Sequence, residues 1–361
     1  RIRHGQPVSP RFVIVCGSGG VGKTSTAAAI GLNAARDGER VLVITVDPAR
    51  RLAQALGLDS IGHDVSPVEV EGPGTLSVSM LDTKAGWDSL IRRHARDAKA
   101  AERVLRNPLY DNITARFVNS HDYIAMEQVN ELASSTDHDL VVIDTPPSRN
   151  ALDLLDAPRR MREFFGGRLL QWLTLPYRSR LLTIASKPFL QIADRLLGAQ
   201  FLGDIAEFFT LLQSMESGFV SRARAVETLL TSERVSFVVV TTAEPAPVHE
   251  AGFMAAELGR RKCAVHTVVV NRIVTDAGDE SLPARDLVAA SVGTGLDPDV
   301  ALAGMVDAFA HRRTVASRHA AGVESLRTLG TRVVLVPETE SMPGSSGVSV
   351  LAGIATALHG A

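Results

Sequence analysis

The chain has 361 residues, of which 45% are hydrophobic and 22% are charged. This mixture is ordinary for a globular protein and excludes the disordered and fibrous classes. The length suits one large domain or two smaller ones. The 38 basic and 40 acidic residues leave a formal net charge of −2. That balance argues against a chain that coats nucleic acid, so no nucleic-acid partner is expected.

The two cysteines, Cys16 and Cys263, lie far apart in the sequence and form no CxxC pair. Zinc ribbons and thiolate clusters use closely spaced ligands, so we expect neither zinc nor an iron–sulfur cluster. This cysteine usage fits a reducing compartment. No stretch reads as a signal peptide or as a membrane span. We therefore expect a cytoplasmic protein, or one held peripherally at a membrane by a partner.

Short, β-branched apolar runs alternate with helical patterns along the chain. Nearly continuous apolar character is typical of parallel strands that are covered on both faces. We therefore predict an α/β fold with a doubly wound, mostly parallel sheet. The predicted strands are residues 12–16, 41–46, 76–80, 140–144, 237–242, 265–270 and 333–337.

Two long stretches contain no strand candidate and read as helical, residues 83–137 and 150–230. They flank the predicted strand at residues 140–144, so we interpret them as one helical subdomain inserted on the sheet. The whole chain, residues 1–361, then forms a single domain. Its core comprises residues 1–82, 138–149 and 231–361. A long helix is predicted over residues 297–329.

An apolar stripe runs along the second helical stretch, where six residues recur at alternating steps of four and three. A second apolar cluster falls within residues 169–175. Two interpretations stay open, since the stripe could belong to core or dimer packing, or could line an exposed groove for an apolar client helix. The six residues are Phe201, Ile205, Phe208, Leu212, Met215 and Phe219.

A glycine-rich loop follows the first predicted strand and opens a helix. It reads Gly17-Ser18-Gly19-Gly20-Val21-Gly22-Lys23-Thr24 and fits GxxxxGK[ST], the phosphate-binding P-loop. Glycines let backbone N–H groups converge on phosphate oxygens, and the helix N-terminus adds partial positive charge. The candidate nucleotide-binding residues of this loop are Gly19, Gly20, Val21, Gly22, Lys23, Thr24 and Ser25.

The residue types in the loop suggest separate roles. Lys23 would bridge the β- and γ-phosphates, the Thr24 hydroxyl would ligate Mg²⁺, and Ser25 would reach the α-phosphate. Two alternatives remain for the same residues. One is a tight strand–helix turn without a ligand. The other is a dinucleotide-binding turn, because the loop also contains the weak GxGxxG pattern.

Two acids fall where a P-loop enzyme needs them. Asp144 ends a predicted strand, the placement of an acid that holds Mg²⁺ through water. Asp47 follows another strand, in the run Thr45-Val46-Asp47-Pro48-Ala49-Arg50. The carboxyl ends of parallel strands face one crevice, so both acids and the loop should meet there. Either acid taken alone could instead be a helix cap or a turn residue.

The loop at residues 17–24 resembles the deviant Walker A loop of the SIMIBI-class NTPases. The run Thr45-Val46-Asp47-Pro48-Ala49 is similar to the first switch of the arsenical-pump and tail-anchored-protein-targeting ATPases, the family that includes bacterial anion-transporting ATPases. The run Asp144-Thr145-Pro146-Pro147-Ser148 is similar to their second switch. The resemblance covers most of the chain, with further similar runs at residues 241–245 and 268–272.

This resemblance implies an ATP- and Mg²⁺-dependent ATPase that works as a dimer, with hydrolysis moving the helical subdomains. By the same resemblance, Asp47 positions the attacking water and holds Mg²⁺ through water. Asn271 would recognise adenine, Pro337 would lie beside the base, and Glu244 would approach the nucleotide. From the residue type alone, Asn271 offers the donor and the acceptor that a base reader needs. The alternative for Asn271 is a turn residue after a strand.

The chain departs from the family at its signature lysine, where it has Ser18. That lysine reaches the partner subunit's nucleotide, and losing a cation there slows phosphoryl transfer. Three outcomes stay open: slow hydrolysis, replacement by Arg50 or Arg51, or a heterodimer with a paralogous ATPase that carries the lysine. Asn150 and Arg149 also replace the usual second-switch histidine and glycine.

The sequence also lacks the features that are typical of individual branches of this ATPase family. It contains no CxxC for an interface zinc, no cysteine trio for arsenite and one P-loop rather than two. We therefore predict an ATPase of this family that couples nucleotide state to a membrane-linked or apolar client. The alternatives are a nucleotide-binding regulatory subunit with weak hydrolysis and, from GxGxxG alone, a nicotinamide-dependent oxidoreductase.

Overall fold

A single mixed sheet organises the chain. The computed structural model describes residues 9–46, 51–110, 120–146, 151–165, 199–274, 298–338, 351, 353–356 and 358. Within these residues the strands are β1 (Arg11–Gly17), β2 (Arg40–Thr45), β3 (Ser66–Val68), β4 (Thr75–Met80), β5 (Leu140–Asp144), β6 (Val235–Thr242), β7 (Val265–Ile273) and β8 (Arg332–Pro337).

Helices connect most of these strands. They are α1 (Lys23–Arg36), α2 (Arg51–Leu56), α3 (Thr83–His94), α4 (Ala98–Leu105), α5 (Ser120–Leu132), α6 (Ala151–Phe165), α7 (Ala199–Ser214), α8 (Glu216–Leu230), α9 (Pro245–Arg260) and α10 (Pro298–Arg327). Described residues of the C-terminal tail, at 351, 353–356 and 358, are also helical.

The strand order is β3-β4-β2-β5-β1-β6-β7-β8. Strand β3 pairs antiparallel with β4, and the other neighbouring strands pair in parallel. Strand β1 lies between β5 and β6. The chain builds β2, β3 and β4 on one side, returns to place β5 between β2 and β1, and then adds β6, β7 and β8 on the other side. The loops that leave β1, β2, β5, β6 and β7 therefore open on the same edge of the sheet.

Both faces of the sheet are covered. Successive side chains of a strand point to opposite faces, and β1 shows this directly. Phe12 and Ile14 join the apolar cluster that includes α3, α5 and α8, whereas Val15 joins the cluster built with α1 and the C-terminal tail. Burial on both sides explains why the strands are apolar throughout rather than alternating.

The predicted α/β class with a doubly wound, mostly parallel sheet is confirmed. All seven predicted strands are present, with ends shifted by up to three residues. Strand β7 runs past its predicted end at residue 270, so Asn271 lies inside a strand. No sequence pattern predicted β3, a three-residue edge strand that contains Pro67. Proline is tolerated in a sheet mainly at such edges.

The helices α3–α5 stand between β4 and β5, and α6–α8 stand between β5 and β6. Ion pairs connect these helices: Arg222 Nε lies 2.5 Å from Glu127 Oε2, and Arg162 Nη2 lies 2.8 Å from Glu227 Oε1. Arg103 also pairs with Glu207, and Arg93 pairs with Glu131. The proposed division into a core and a helical subdomain, with the boundaries given above, stays a prediction.

The apolar stripe belongs to the core where its side chains are described. Phe208, Leu212, Met215 and Phe219 are all buried in the larger apolar cluster. The burial of these four side chains favours the interpretation that the stripe packs in the core over the interpretation that it lines an exposed groove for a client. The side chains of Phe201 and Ile205, and the cluster at residues 169–175, lie outside the described part of the chain.

The predicted long helix at residues 297–329 corresponds to α10, which the structure shows as Pro298–Arg327. Along the residues that are described, none of the helices combines the length and the apolar character needed to cross a membrane.

Candidate functional site

The glycine-rich loop leaves β1 at the centre of the sheet. Gly17, the last residue of β1, has φ 149°, and a Cβ built there would lie 2.1 Å from the carbonyl oxygen of Val240 on β6. Such a distance is impossible for a real side chain, so the close approach of β1 and β6 requires glycine. Val21 is buried, while Gly19 and Gly20 are exposed at the tip of the loop.

Gly22 ends the loop and is the N-cap residue of α1, with φ 101° and ψ 26°. This is the left-handed region, which favours glycine. Within the described structure, no side chain caps the first turn of α1, and that turn contains no acidic residue. The N–H groups and partial positive charge of a helix N-terminus favour an anion there. The loop is therefore suited to bind phosphate.

Lys23 is buried, with 6% of its surface exposed. Its Nζ donates a hydrogen bond to the carbonyl oxygen of Ser18, 2.8 Å away on the opposite side of the loop. A buried ammonium group is costly unless polar partners surround it. The side chain therefore places a positive charge inside the loop, where a bound phosphate would lie.

Asp144 ends β5, the strand next to β1, and is fully buried. Its Oδ2 accepts a hydrogen bond from the Thr45 hydroxyl at 3.2 Å, and its carbonyl accepts one from Val46 N–H at 3.1 Å. The Thr145 hydroxyl bonds the Val15 carbonyl at 2.8 Å, which ties the end of β5 to β1. The exits of β2 and β5 are thus held together beside the loop.

Sequence reasoning missed Thr45 as a partner of Asp144. The pair is 99 residues apart in sequence, but the signal was present. Thr45 is a polar residue that ends an apolar strand, at the same sheet edge as Asp144. Asp47, predicted to act on water, lies outside the described residues, as do Arg50, Arg149 and Asn150. Arg51 is described and exposed at the start of α2.

The residues present fit a magnesium ion bound together with a phosphate. Thr24 and Ser25 are half-buried in the first turn of α1, directly after Lys23. Mg²⁺ prefers oxygen ligands and usually takes one or two from protein, the rest coming from phosphate and water. The Thr24 hydroxyl and the Asp144 carboxylate are oxygen donors of this type on adjacent elements, so the donor chemistry matches.

Asn271 connects strand β7 to the glycine-rich loop. It pairs with Thr242 of β6 and is 7% exposed. Its Nδ2 donates to the Val21 carbonyl at 2.9 Å, and its Oδ1 accepts from Arg272 N–H at 3.0 Å. These partners fix which amide atom is nitrogen and which is oxygen. With respect to the described residues, one N–H and one lone pair of the amide remain, which suits the recognition of a base edge.

Pro337 and Glu244 lie at the same edge. Pro337 ends β8, is exposed and pairs with Ile273 of β7, two residues beyond Asn271. Glu244 follows β6 and is the N-cap residue of α9. Its Oε1 is 3.2 Å from His319 Nε2 on α10. The structure therefore brings Asn271, Pro337 and Glu244 to neighbouring strand exits on one side of the loop.

The cysteine nearest the site is chemically quiet. Cys16 lies in β1, is buried, and directs its Sγ at the Val238 carbonyl, 3.6 Å away. Burial raises the pKa of its thiol to about 12, although nearby Lys23 acts in the opposite direction. Only the thiolate is nucleophilic or binds metal. Cys16 is therefore a packing residue beneath the loop.

Comparison with known proteins agrees with this geometry. Residues 10–289 match the family model described as Anion-transporting ATPase. The chain is 25% identical to ATPase ASNA1 homolog 1 of Paramecium tetraurelia over 73% of this chain and 75% of that protein. It is 25% identical to ATPase get3 of Aspergillus terreus over 73% of each chain.

A bacterial relative is an uncharacterized protein of Streptomyces coelicolor, 29% identical over 74% of this chain. The match spans 63% of that relative's length. These matches favour the P-loop interpretation of the glycine-rich loop over the nicotinamide-dependent one.

Gly22 and Gly20 make a matched pair for testing how the loop is held. A Cβ at Gly22 would lie 2.2 Å from Asn271 Nδ2, whereas a Cβ at Gly20 would meet no atom of the described residues within 4 Å. Both residues have positive φ, 101° and 77°, so alanine at either costs about 1–2 kcal/mol of backbone strain. Gly22→Ala should lose about 1 kcal/mol more, because the Asn271–Val21 hydrogen bond is displaced.

Urea denaturation gives the free energy of unfolding of both variants and of the wild type. The expected order of stability is wild type, then Gly20→Ala, then Gly22→Ala. Equal losses in the two variants would show that the Asn271 contact does not hold the loop.

Proposed function

The chain belongs to the anion-transporting ATPase family, and from this premise we propose that it binds Mg-ATP and hydrolyses it. The observation that carries the proposal is the loop between β1 and α1. There the buried Lys23 ammonium group donates a hydrogen bond to the Ser18 carbonyl of the same loop, and a fully buried Asp144 ends the neighbouring strand. A structural turn needs neither feature.

Each residue has a role that follows from its position. The N–H groups of the loop and of the first turn of α1 would bind phosphate oxygens. Lys23 would exchange the Ser18 carbonyl for the β- and γ-phosphates. Thr24, and Asp144 through water, would hold Mg²⁺, which would neutralise phosphate charge. Asp47, which follows β2, would orient the attacking water and contact Mg²⁺ through a second water.

The two sides of the loop would take the two ends of the nucleotide. Asp144 ends β5, and Asp47 follows β2 in the sequence, so the reacting phosphate would lie on that side of the loop. The base would then lie toward β6 and β7, where Asn271 keeps one N–H and one lone pair for it. Pro337, exposed at the end of β8, offers an apolar surface beside the same edge.

Assembly and client are further parts of the proposal. We infer a dimer, with a second copy or with a paralogous ATPase, in which nucleotide state moves helices α3–α8. The short chain connections support this motion of the helices, because α6 begins seven residues after Asp144 and α3 begins three residues after β4 ends. Those helices would act on a membrane-linked or apolar client. The protein would work in the cytoplasm, reaching a membrane through its partner.

Replacing Lys23 tests nucleotide binding. Lys23→Ala should weaken Mg-ATP binding by at least about ten-fold and abolish measurable turnover, because the cation that faces the phosphates is removed. Lys99→Ala, at an exposed position on α4, is the matched control and should leave both quantities unchanged. Isothermal titration calorimetry and a phosphate-release assay provide the measurements. Unchanged ATP affinity and turnover in Lys23→Ala would refute the proposal.

A second candidate function is a regulatory subunit that binds ATP but hydrolyses it slowly alone. Ser18 favours it, because this residue stands where the family has its signature lysine. In the structure, Ser18 is half-buried at the start of the loop, and its carbonyl binds Lys23. A serine cannot supply positive charge to a partner subunit's nucleotide.

Restoring the cation distinguishes the two candidates. If hydrolysis is slow because a charge is missing, Ser18→Lys should raise kcat by about ten-fold or more. Ser18→Gln, which adds length without charge, should not raise it. Rapid turnover by the wild-type chain alone, with no gain in Ser18→Lys, would exclude the regulatory candidate and leave the ATPase proposal intact.

A further inference from the structure

His319 is a buried histidine at the base side of the loop. It lies on α10 and is 6% exposed. Its Nδ1 is 3.1 Å from the backbone nitrogen of Val274, and its Nε2 is 3.2 Å from Glu244 Oε1. Both ring nitrogens are therefore engaged, each by a different strand exit.

The partners determine the tautomer. A backbone N–H can only donate, so Nδ1 of His319 must accept from Val274 and carries no proton. The ring proton is then on Nε2, which donates to the Glu244 carboxylate. The imidazole thus bridges a donor on one loop and an acceptor on another, a task that needs both of its nitrogens.

The two bridged loops flank Asn271. Glu244 is two residues beyond the end of β6, whose last residue, Thr242, pairs with Asn271. Val274 is three residues beyond Asn271, immediately after β7 ends. His319 therefore connects α10 to the Val274 backbone on one side of Asn271 and to the Glu244 side chain on the other.

The backbone between Asn271 and Val274 needs this support. Arg272 has φ 57°, a left-handed conformation that is unfavourable for arginine. Its N–H binds Asn271 Oδ1 and thereby orients the amide. Strained residues persist only where surrounding contacts hold them. The bond from Val274 to His319 is one such contact, two residues away.

A second contact brings α10 against the same region. A Cβ built on Gly322, three residues after His319, would lie 2.7 Å from the carbonyl oxygen of Ala243 and 3.2 Å from Val248 Cγ2. The helix therefore approaches the β6–α9 connection so closely that only glycine fits. His319 and Gly322 together set the position of α10 against Ala243 and Glu244.

We propose that His319 is a positioning residue for base recognition, which fixes the Asn271–Val274 backbone and Glu244 so that the site discriminates between nucleotide bases. This inference rests on the proposed function, since it assumes that a nucleotide lies along the loop. It adds that selectivity for the base depends on α10, which contributes no residue to the phosphate loop.

The test compares ligands with and without the adenine base. Dissociation constants for Mg-ATP, Mg-GTP and Mg-tripolyphosphate are measured by calorimetry for wild type, His319→Phe, His319→Asn and His311→Phe. His319→Phe removes the bridge, so its affinity for Mg-ATP should fall by about three- to ten-fold, the scale of one hydrogen bond, and its preference for ATP over GTP should become smaller. Tripolyphosphate has no base, so it should bind to this variant with the wild-type affinity.

Two of these variants separate positioning from general damage. His319→Asn can present an oxygen where Nδ1 lies, so it should keep the Val274 hydrogen bond and recover part of the ATP preference. His311→Phe changes an exposed histidine on the same helix and should match wild type for all three ligands.

Gly322→Ala and Gly304→Ala provide a second, independent pair, which also serves if His319→Phe fails to fold. The added methyl of Gly322→Ala meets the Ala243 carbonyl, whereas that of Gly304→Ala lies more than 4 Å from every neighbour in the part of the chain that the structure describes. Gly322→Ala should therefore lose the preference for ATP over GTP, and Gly304→Ala should retain this preference.

The outcomes are distinct. Unchanged ATP-over-GTP preference in folded His319→Phe or Gly322→Ala would overturn the inference while leaving the proposed function standing. Equal weakening of ATP, GTP and tripolyphosphate would also overturn it, because that result indicates general damage. A wild-type chain that binds none of the three ligands would overturn the proposed function and this inference with it.

Discussion

The hydrogen bond from Lys23 to the Ser18 carbonyl is the interaction on which the site depends. It holds a buried ammonium group inside a loop whose ends are set by other constraints. Gly17 can approach Val240 only because it lacks a Cβ, and Gly22 turns into α1 only through a positive φ. A loop closed on its own lysine carries, in advance, the charge that a phosphate needs. Such preorganisation reduces the cost of binding.

The strand order gives the two sides of this loop different chemistry. Toward β5 and β2, Asp144 and Thr45 form a buried polar pair suited to a metal and to phosphate. Toward β6 and β7, Asn271 binds the loop itself through Val21. At the ends of these same two strands, His319 connects Glu244 and Val274 to α10. A change in the loop is therefore coupled to β7 through the Asn271–Val21 hydrogen bond, whereas on the other side the Thr145–Val15 bond ties the end of β5 to β1, the strand that leads into the loop.

The sheet and the glycine-rich loop could be predicted from the sequence because both depend on local patterns. Apolar, β-branched runs report burial on both faces, and GxxxxGK[ST] is contiguous. The same reasoning could not find the bond between Asn271 and Val21, which joins residues 250 apart. It also missed His319, since one histidine on a long helix shows no pattern. Strand β3 was missed because three residues with a proline give no periodic signal. For the stripe that contains Phe208 and Met215, spacing alone could not show which surface covers it, and the fold buries both residues.

The decisive experiment is a structure of the chain with Mg²⁺ and a hydrolysis-resistant ATP analogue. We expect the triphosphate to occupy the loop at residues 17–24 and Lys23 Nζ to leave the Ser18 carbonyl for phosphate oxygens. We also expect the base to lie between Asn271 and Pro337. A loop that stays empty at saturating analogue, with Lys23 still bonded to Ser18, would contradict the proposed nucleotide site.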